Sequence, residues 1–222
     1  IMAPGAARDD ATARDRLVTG GGVDPATVTV IPHGAEDNRT DHPSPLAAVP
    51  QRPTVLTWGL LSEGKGIEWA LLAMAELRET TELPRYRVLG RTHPKVLERD
   101  GEAYRDSLLS MTRHLGLETH VDFDSRYLSG PDLRRAVSEA DVVLLPYDSA
   151  EQVTSGVLTE AVAAGRPVIS TSFPHAVELL SGGAGILVPR RDPAAIAEAM
   201  HRLLTVPGLR DHMAREARGL AA

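Results

Sequence analysis

Val142-Val143-Leu144-Leu145-Pro146 is followed, after a short intervening stretch, by Gln152-Val153-Thr154-Ser155-Gly156-Val157-Leu158-Thr159-Glu160-Ala161-Val162-Ala163-Ala164-Gly165. Four consecutive apolar residues closed by a proline read as a short strand buried on both faces. The second run has helical spacing and stops at Gly165, a residue suited to a left-handed helix end. A buried strand, a loop and a helix N-terminus therefore follow one another. Such a terminus offers unpaired N–H groups and partial positive charge, which suit an anionic ligand. Gly156 and Glu160 are four apart and share a helical face, so the Glu160 side chain is expected to lean back over Gly156. A carboxylate would then stand beside an anion site, where ribose or sugar hydroxyls fit. Taken alone, the same residues also describe an ordinary helix N-terminus with a second-turn Glu, the commoner case.

Working outward, the pattern repeats. Thr54–Trp58, Tyr86–Gly90, His120–Phe123, Val142–Leu145, Pro167–Ser170 and Gly185–Val188 read as strands. Helical spacing falls between them at 66–79, 102–115, from Ser129 to Ala140, from Ser155, and at about 175–180. Ser129 and Asp132 are spaced as a capping box, and Asp192-Pro193 offers an N-cap followed by proline at the first helical position. Helices are expected over 194–204 and 209–218. A further short strand is expected at Val28–Ile31, and a short helix around Ala11 to Val18. The fold class is therefore α/β, a doubly wound parallel sheet with helices on both faces and right-handed crossovers. In such sheets ligands bind outside the carboxyl ends of strands, at a switch point. The loops after Trp58, Leu89, Phe123, Pro146 and Ser170 are the informative ones.

Composition narrows the chemistry. The 222 residues include no Cys, which excludes disulfides, thiol catalysis and cysteine-ligated zinc and fits a reducing compartment. Aromatic content is 4%, so the core is built from Ala, Val, Leu and Ile. A net charge of −6 argues against a general nucleic-acid binder. No apolar run approaches the roughly 18 residues of a membrane-spanning helix. The first residues do not read as a signal peptide, and Ile1 before Met2 is the order expected of a piece of a longer protein.

Two loops carry candidate binding residues. Gly59-Leu60-Leu61-Ser62-Glu63-Gly64-Lys65-Gly66 fits neither G-x-x-x-x-G-K-[ST] nor G-x-G-x-x-G. It still places a Lys beside a helix N-terminus with approachable backbone, suited to a diphosphate. A flexible surface turn fits it about as well. In Arg91-Thr92-His93-Pro94, Arg91 is a candidate for phosphate or a base, whereas His93 reads more simply as part of a solvated loop. The eight His show no ligand spacing of the H-E-x-x-H kind, and no G-x-S-x-G elbow is present.

The order of these motifs resembles the C-terminal, nucleotide-sugar-binding half of glycosyltransferase family 4 (group 1), the retaining GT-B enzymes. The resemblance runs from about Val28 to Leu204. It rests on Val30-Ile31-Pro32-His33-Gly34, Gly59 with Lys65-Gly66, Ala140 to Pro146, Gln152 to Val168, Glu178, Gly185–Val188 and Asp192. It implies a Rossmann-like domain over 28–205, with a helical or linker segment at 1–27 and a C-terminal helix at 206–222. By resemblance, Lys65 is the Lys of a basic pair that holds a diphosphate, and Leu60 stands where the family has its Arg. Gln152 and Glu160 match the two ends of an E-x7-E motif, so Glu160 is the implied ribose ligand and Gln152 stands at the donor-sugar position. Gln152 can exchange hydrogen bonds with hydroxyls but offers no negative charge. Catalytic roles thus fall on Lys65, Gln152 and Glu160, and donor contacts on Gly59, Lys65, Gly66, Arg91, Ser155, Gly156, Val157 and Glu160.

The implied donor is a UDP- or GDP-linked sugar, used without a cofactor or bound metal and transferred to an acceptor hydroxyl with retention. The acceptor is not specified. The implied partner is a second, N-terminal Rossmann-like half, without which the fragment is expected to be inactive. Cytoplasmic placement is implied, with membrane association at the inner face left to the absent half. A non-catalytic nucleotide-sugar-binding module and a GT-B sugar-nucleotide epimerase remain the alternatives.

Overall fold

The computed structural model describes residues 17–28, 52–79, 81–149 and 154–220. Gln152, most of the expected strand at 28–31 and the first part of the expected N-terminal helix lie outside them. Six parallel strands form one sheet: β1 (Thr54–Trp58), β2 (Arg85–Leu89), β3 (Val121–Asp124), β4 (Val142–Leu145), β5 (Val168–Thr171) and β6 (Gly185–Val188). The α-helices are α1 (Ile67–Leu77), α2 (Pro94–Asp100), α3 (Ala103–His114), α4 (Gly130–Glu139), α5 (Gly156–Ala163), α6 (Pro174–Leu180), α7 (Pro193–Thr205) and α8 (Leu209–Leu220). The strand order is β3-β2-β1-β4-β5-β6. The sheet winds outward one way from β1 and the other way from β4, so the switch point lies between these two strands.

Local chemistry sets the helix ends. Ser129 Oγ accepts from the Asp132 N–H at 3.3 Å and also donates to the Asp132 carboxylate at 2.6 Å. The box therefore closes on the serine hydroxyl itself. Asp192 accepts from the Ala195 N–H at 2.9 Å, with Pro193 as the first helical residue. Gly165 leaves α5 in the left-handed region, at φ 64°. The short helix α2 was not read from the sequence. Pro94 starts it, and His93 caps it by accepting the Lys95 N–H at Nδ1, 3.2 Å away. Nδ1 is thereby an acceptor, and any single ring proton of His93 lies on Nε2.

Strand alternation divides the core in two. Val55, Val142 and Leu144 pack with α1, α3 and α7 on one face. Leu56, Trp58, Val143 and Leu145 pack with α4, α5 and α6 on the other. Helix α8 reaches both layers, through Met213 to the first and Ala217 to the second. Burying such Val and Leu side chains is worth about 1.5–3 kcal/mol each, and this holds an aromatic-poor chain together. Thr57 adds a polar tie across the switch point, donating from Oγ1 to the Leu144 carbonyl at 2.6 Å.

Candidate functional site

The loops after β1 and β4 are fastened to one another. The N–H groups of Asp148 and Ser149 both donate to the Gly64 carbonyl, at 3.0 and 3.3 Å. Gly66 has φ 63°, and a Cβ there would lie 2.0 Å from the Pro146 carbonyl oxygen. Only glycine permits that approach together with that backbone conformation. On the other side, a Cβ on Gly90 would lie 1.9 Å from the Gly59 carbonyl, so the loops after β1 and β2 are also in direct backbone contact. Arg191 holds a positive φ of 57° and donates to Asp148 at 2.7 Å, tying the segment after β6 to the same place.

Lys65 rises from this junction. Its ammonium lies 4.2 Å from the centroid of the Tyr147 ring. Among the described residues no carboxylate pairs with it. Burial pulls its pKa below the ordinary lysine value. A half-buried cation with no counter-ion among the described residues is suited to an anion.

Helix α5 supplies the other half. Ser155 is its N-cap, and Ser155 Oγ accepts from the Leu158 N–H at 3.2 Å. The Ser155 N–H itself donates to Nδ1 of the buried His175, 3.1 Å away, so it is not offered to a ligand. Nδ1 is thereby an acceptor, which places any single ring proton on Nε2. The N–H groups of Gly156 and Val157 have no acceptor among the described residues. They are the two donors left at the positive end of the helix. Val157 also packs toward the first loop, its Cγ2 lying 3.7 Å from where a Gly59 Cβ would be.

The expected lean of Glu160 over Gly156 acquires a partner that its spacing did not suggest. Its Oε2 accepts from the Trp58 indole N–H at 3.3 Å, which links the carboxylate to the end of β1 across the switch point. Beyond Trp58 a cavity of about 150 Å³ opens at the carboxyl ends of β1 and β2. Trp58, Leu89 and Leu133 line it, and Leu60, Arg91 and Tyr127 stand among its outer residues. The Arg91 guanidinium lies 5.4 Å from the centroid of the exposed Tyr127 ring. Arg126 belongs to the same wall, but its Nε and Nη2 are engaged by Asp124 at 3.0 and 2.7 Å. That contact draws the Asp124 pKa down to about 2.

Gly59, Lys65, Gly66, Ser155, Gly156, Val157 and Glu160 thus gather at the switch point, with Arg91 on the adjoining cavity. Trp58, Tyr147, Tyr127 and His175 join them without having been singled out in the sequence. Trp58 and Tyr147 could have been found as residues flanking strand ends. His175 has no such signal, because its contact with Ser155 is made between successive crossover helices on either side of β5. Among the described residues no cluster of His, Asp or Glu is arranged to hold a metal ion, and no helix is long and apolar enough to cross a membrane.

The chain is 30% identical over 172 residues to the alpha-D-kanosaminyltransferase of Streptomyces kanamyceticus, a match covering 77% of this chain and 41% of the relative. It is 31% identical over 202 residues to the D-inositol 3-phosphate glycosyltransferase of Corynebacterium diphtheriae, covering 89% and 44%. It therefore spans less than half the length of these relatives. Among solved structures, Anabaena HepE in complex with UDP and glucose superposes with a TM-score of 0.78 at 21% identity, covering 95% of this chain and 56% of that one. The sucrose-phosphate synthase of Thermosynechococcus elongatus gives a TM-score of 0.66 at 26% identity, covering 77% and 40%. The family model described as "Glycosyl transferases group 1" matches residues 52–206, and the chain belongs to that family.

Proposed function

We propose that this chain is the donor-binding half of a retaining, hexosyl-transferring glycosyltransferase of the GT-B type. The observation that carries this reading is the convergence, at one sheet switch point, of Lys65 with the Gly156 and Val157 N–H groups, which have no carboxylate or acceptor partner among the described residues. The diphosphate of a nucleotide sugar fits between them, bridging a point charge and a helix terminus. Glu160, hydrogen-bonded to Trp58 at the end of β1, accepts from the ribose hydroxyls in this reading. The adjoining cavity with Arg91 and Tyr127 takes the planar base, uracil or guanine. Gln152 is assigned to the donor sugar by family position.

In this reading the site accelerates transfer by stabilising the leaving diphosphate with fixed donors and one Lys, without a metal. Two amide dipoles and a cation held in a half-buried cleft need no rearrangement as charge grows on the leaving oxygen. The acceptor and further catalytic groups come from an N-terminal Rossmann-like half, so the chain by itself binds donor weakly and does not turn over. Any membrane association belongs to that half, and the site works on the cytoplasmic side. Support comes from relatives named as glycosyltransferases and from a fold neighbour whose complexes contain UDP and UDP-glucose.

Calorimetric titration of the chain with UDP-glucose, GDP-mannose and the free diphosphates tests the reading. Saturable heat with one nucleotide series is expected. No heat with either series would overturn it.

A further inference from the structure

The described structure leaves unexplained why a buried tyrosine lies under the lysine of this site. Tyr147 is 1% exposed, and its ring is stacked on Phe173 with centroids 5.6 Å apart. Its carbonyl accepts from Thr171 Oγ1 at 2.8 Å, which anchors its backbone to β5. Its hydroxyl lies 3.5 Å from Ser155 Oγ, at the outer limit of a hydrogen bond. The ring face is turned to the Lys65 ammonium, 4.2 Å from its centroid. The spacing between the two is fixed by backbone, because Gly64, next to Lys65, accepts from Asp148, next to Tyr147.

A carboxylate in that place would orient Lys65 equally well but would neutralise it and compete with an incoming anion. An aromatic face attracts an ammonium through its quadrupole and leaves the net charge intact. We propose that Tyr147 is a positioning residue for the diphosphate subsite: its ring holds the Lys65 ammonium at a fixed height while leaving its positive charge for a nucleoside diphosphate. The proposal rests on the donor-site reading given above. The functional part of Tyr147 is its ring and not its hydroxyl, since the 3.5 Å contact to Ser155 is the weaker of the two.

Lys65 and Lys95 are the only lysines in the chain, which makes a direct test available. Reductive methylation with ¹³C-formaldehyde keeps the charge and gives one dimethyl-lysine resonance for each, assigned with Lys95→Arg. The Lys65 methyl signal is expected upfield by ring current in the wild type and in Tyr147→Phe, and near the Lys95 position in Tyr147→Leu. Tyr147→Met is a second ring-free variant that fills more of the same volume. An unmoved Lys65 signal in both ring-free variants would overturn the proposal.

Binding is then read with inorganic pyrophosphate, UDP and GDP. The ring-free variants are expected to lose about tenfold in affinity, and Tyr147→Phe to stay within about twofold of wild type. In a Lys65→Ala background, removal of the ring is expected to cost nothing further; full additivity would overturn the proposal. If the wild type shows the ring-current shift yet binds none of the three probes, the donor-site reading fails and the proposal with it. If the wild type binds and the ring-free variants bind equally well, the proposal alone fails.

Discussion

The indole N–H of Trp58 donates to Oε2 of Glu160 at 3.3 Å, joining the last residue of β1 to the second turn of α5. The bond fixes one carboxylate oxygen and leaves the other with its lone pairs for a ligand. It also places a fluorophore on the residue assigned to ribose. The chain has two Trp, at 58 and 69, so Trp69→Phe isolates the reporter. Saturating nucleoside diphosphate is expected to change Trp58 emission in that variant, as ribose hydroxyls compete for the carboxylate. Glu160→Ala is expected to abolish the change and weaken binding at least tenfold, because hydrogen bonds to a charged group are worth about 1.5–3 kcal/mol. Unaltered emission at saturation would remove Glu160 from the ribose site.

The lysine makes a pH prediction whose sign follows from its burial. Desolvation lowers the Lys65 pKa from the ordinary value of 10.5. The charged form binds the diphosphate, so affinity is lost as pH rises through the lowered pKa, earlier than for an exposed lysine. Bound anion favours the proton, so binding in that alkaline window takes up protons from buffer. Lys65→Arg retains its charge throughout. The wild-type to Lys65→Arg affinity ratio for pyrophosphate is therefore expected to be flat near neutrality and to fall at alkaline pH. Titrations in buffers of different ionisation heat check the uptake, and a flat ratio up to pH 10 would contradict the assignment.

Leu60 is 44% exposed where the family resemblance expects arginine. Its neighbour Arg126 cannot supply the missing charge freely, since Asp124 engages it through two nitrogens. Leu60→Arg is expected to tighten nucleoside diphosphate binding about five- to tenfold at low salt, the value of a charge-assisted contact at a partly exposed site. The gain should shrink as salt screens it. Equal affinity for variant and wild type at low salt would show that the diphosphate does not pass this rim.

Much of this was legible in the sequence. Apolar runs such as Val142–Leu145 and the capping pairs at Ser129 and Asp192 carry their meaning locally, so the six strands after position 53 and, α2 apart, the helices that follow them are read from the sequence to within a residue or two. The site loops followed from the alternation of strand and helix, because the parallel sheet brings strand ends together. What was not legible depends on contacts across crossovers. Spacing alone puts Glu160 on the face of Gly156, and only the packed sheet shows that Trp58 is its hydrogen-bond partner. Similarly, Ser155 reads as a free helix-terminal donor until His175, folded back from α6, takes its N–H. The helix α2 was missed because Pro94 after His93 reads as a turn as readily as a first helical residue.

Two glycines with the same φ separate the demands of the site from those of a helix end. Gly66 and Gly116 both have φ 63°. Gly116 closes α3, its N–H donating to the Arg113 carbonyl and the next N–H to Thr112, the usual left-handed helix end. A Cβ on Gly116 meets only the Arg78 guanidinium at 3.9 Å, an ordinary contact, whereas one on Gly66 would lie 2.0 Å from the Pro146 carbonyl oxygen. Gly116→Ala therefore costs only the left-handed conformation, about 1–2 kcal/mol. Gly66→Ala must also push apart the two loops that Asp148 and Ser149 fasten to Gly64, and is expected to cost about 3–5 kcal/mol, in the range of the most damaging single substitutions. Urea denaturation with a slope of about 1–3 kcal/mol per molar should show a midpoint shift at Gly66 at least twice that at Gly116. Any folded Gly66→Ala protein is expected to bind nucleoside diphosphate more weakly, because the displaced loop carries Lys65, whereas Gly116→Ala should bind as wild type. Equal shifts at the two positions would mean that the loops part freely, and that the close approach of Gly66 to Pro146 is not what holds Lys65 in place.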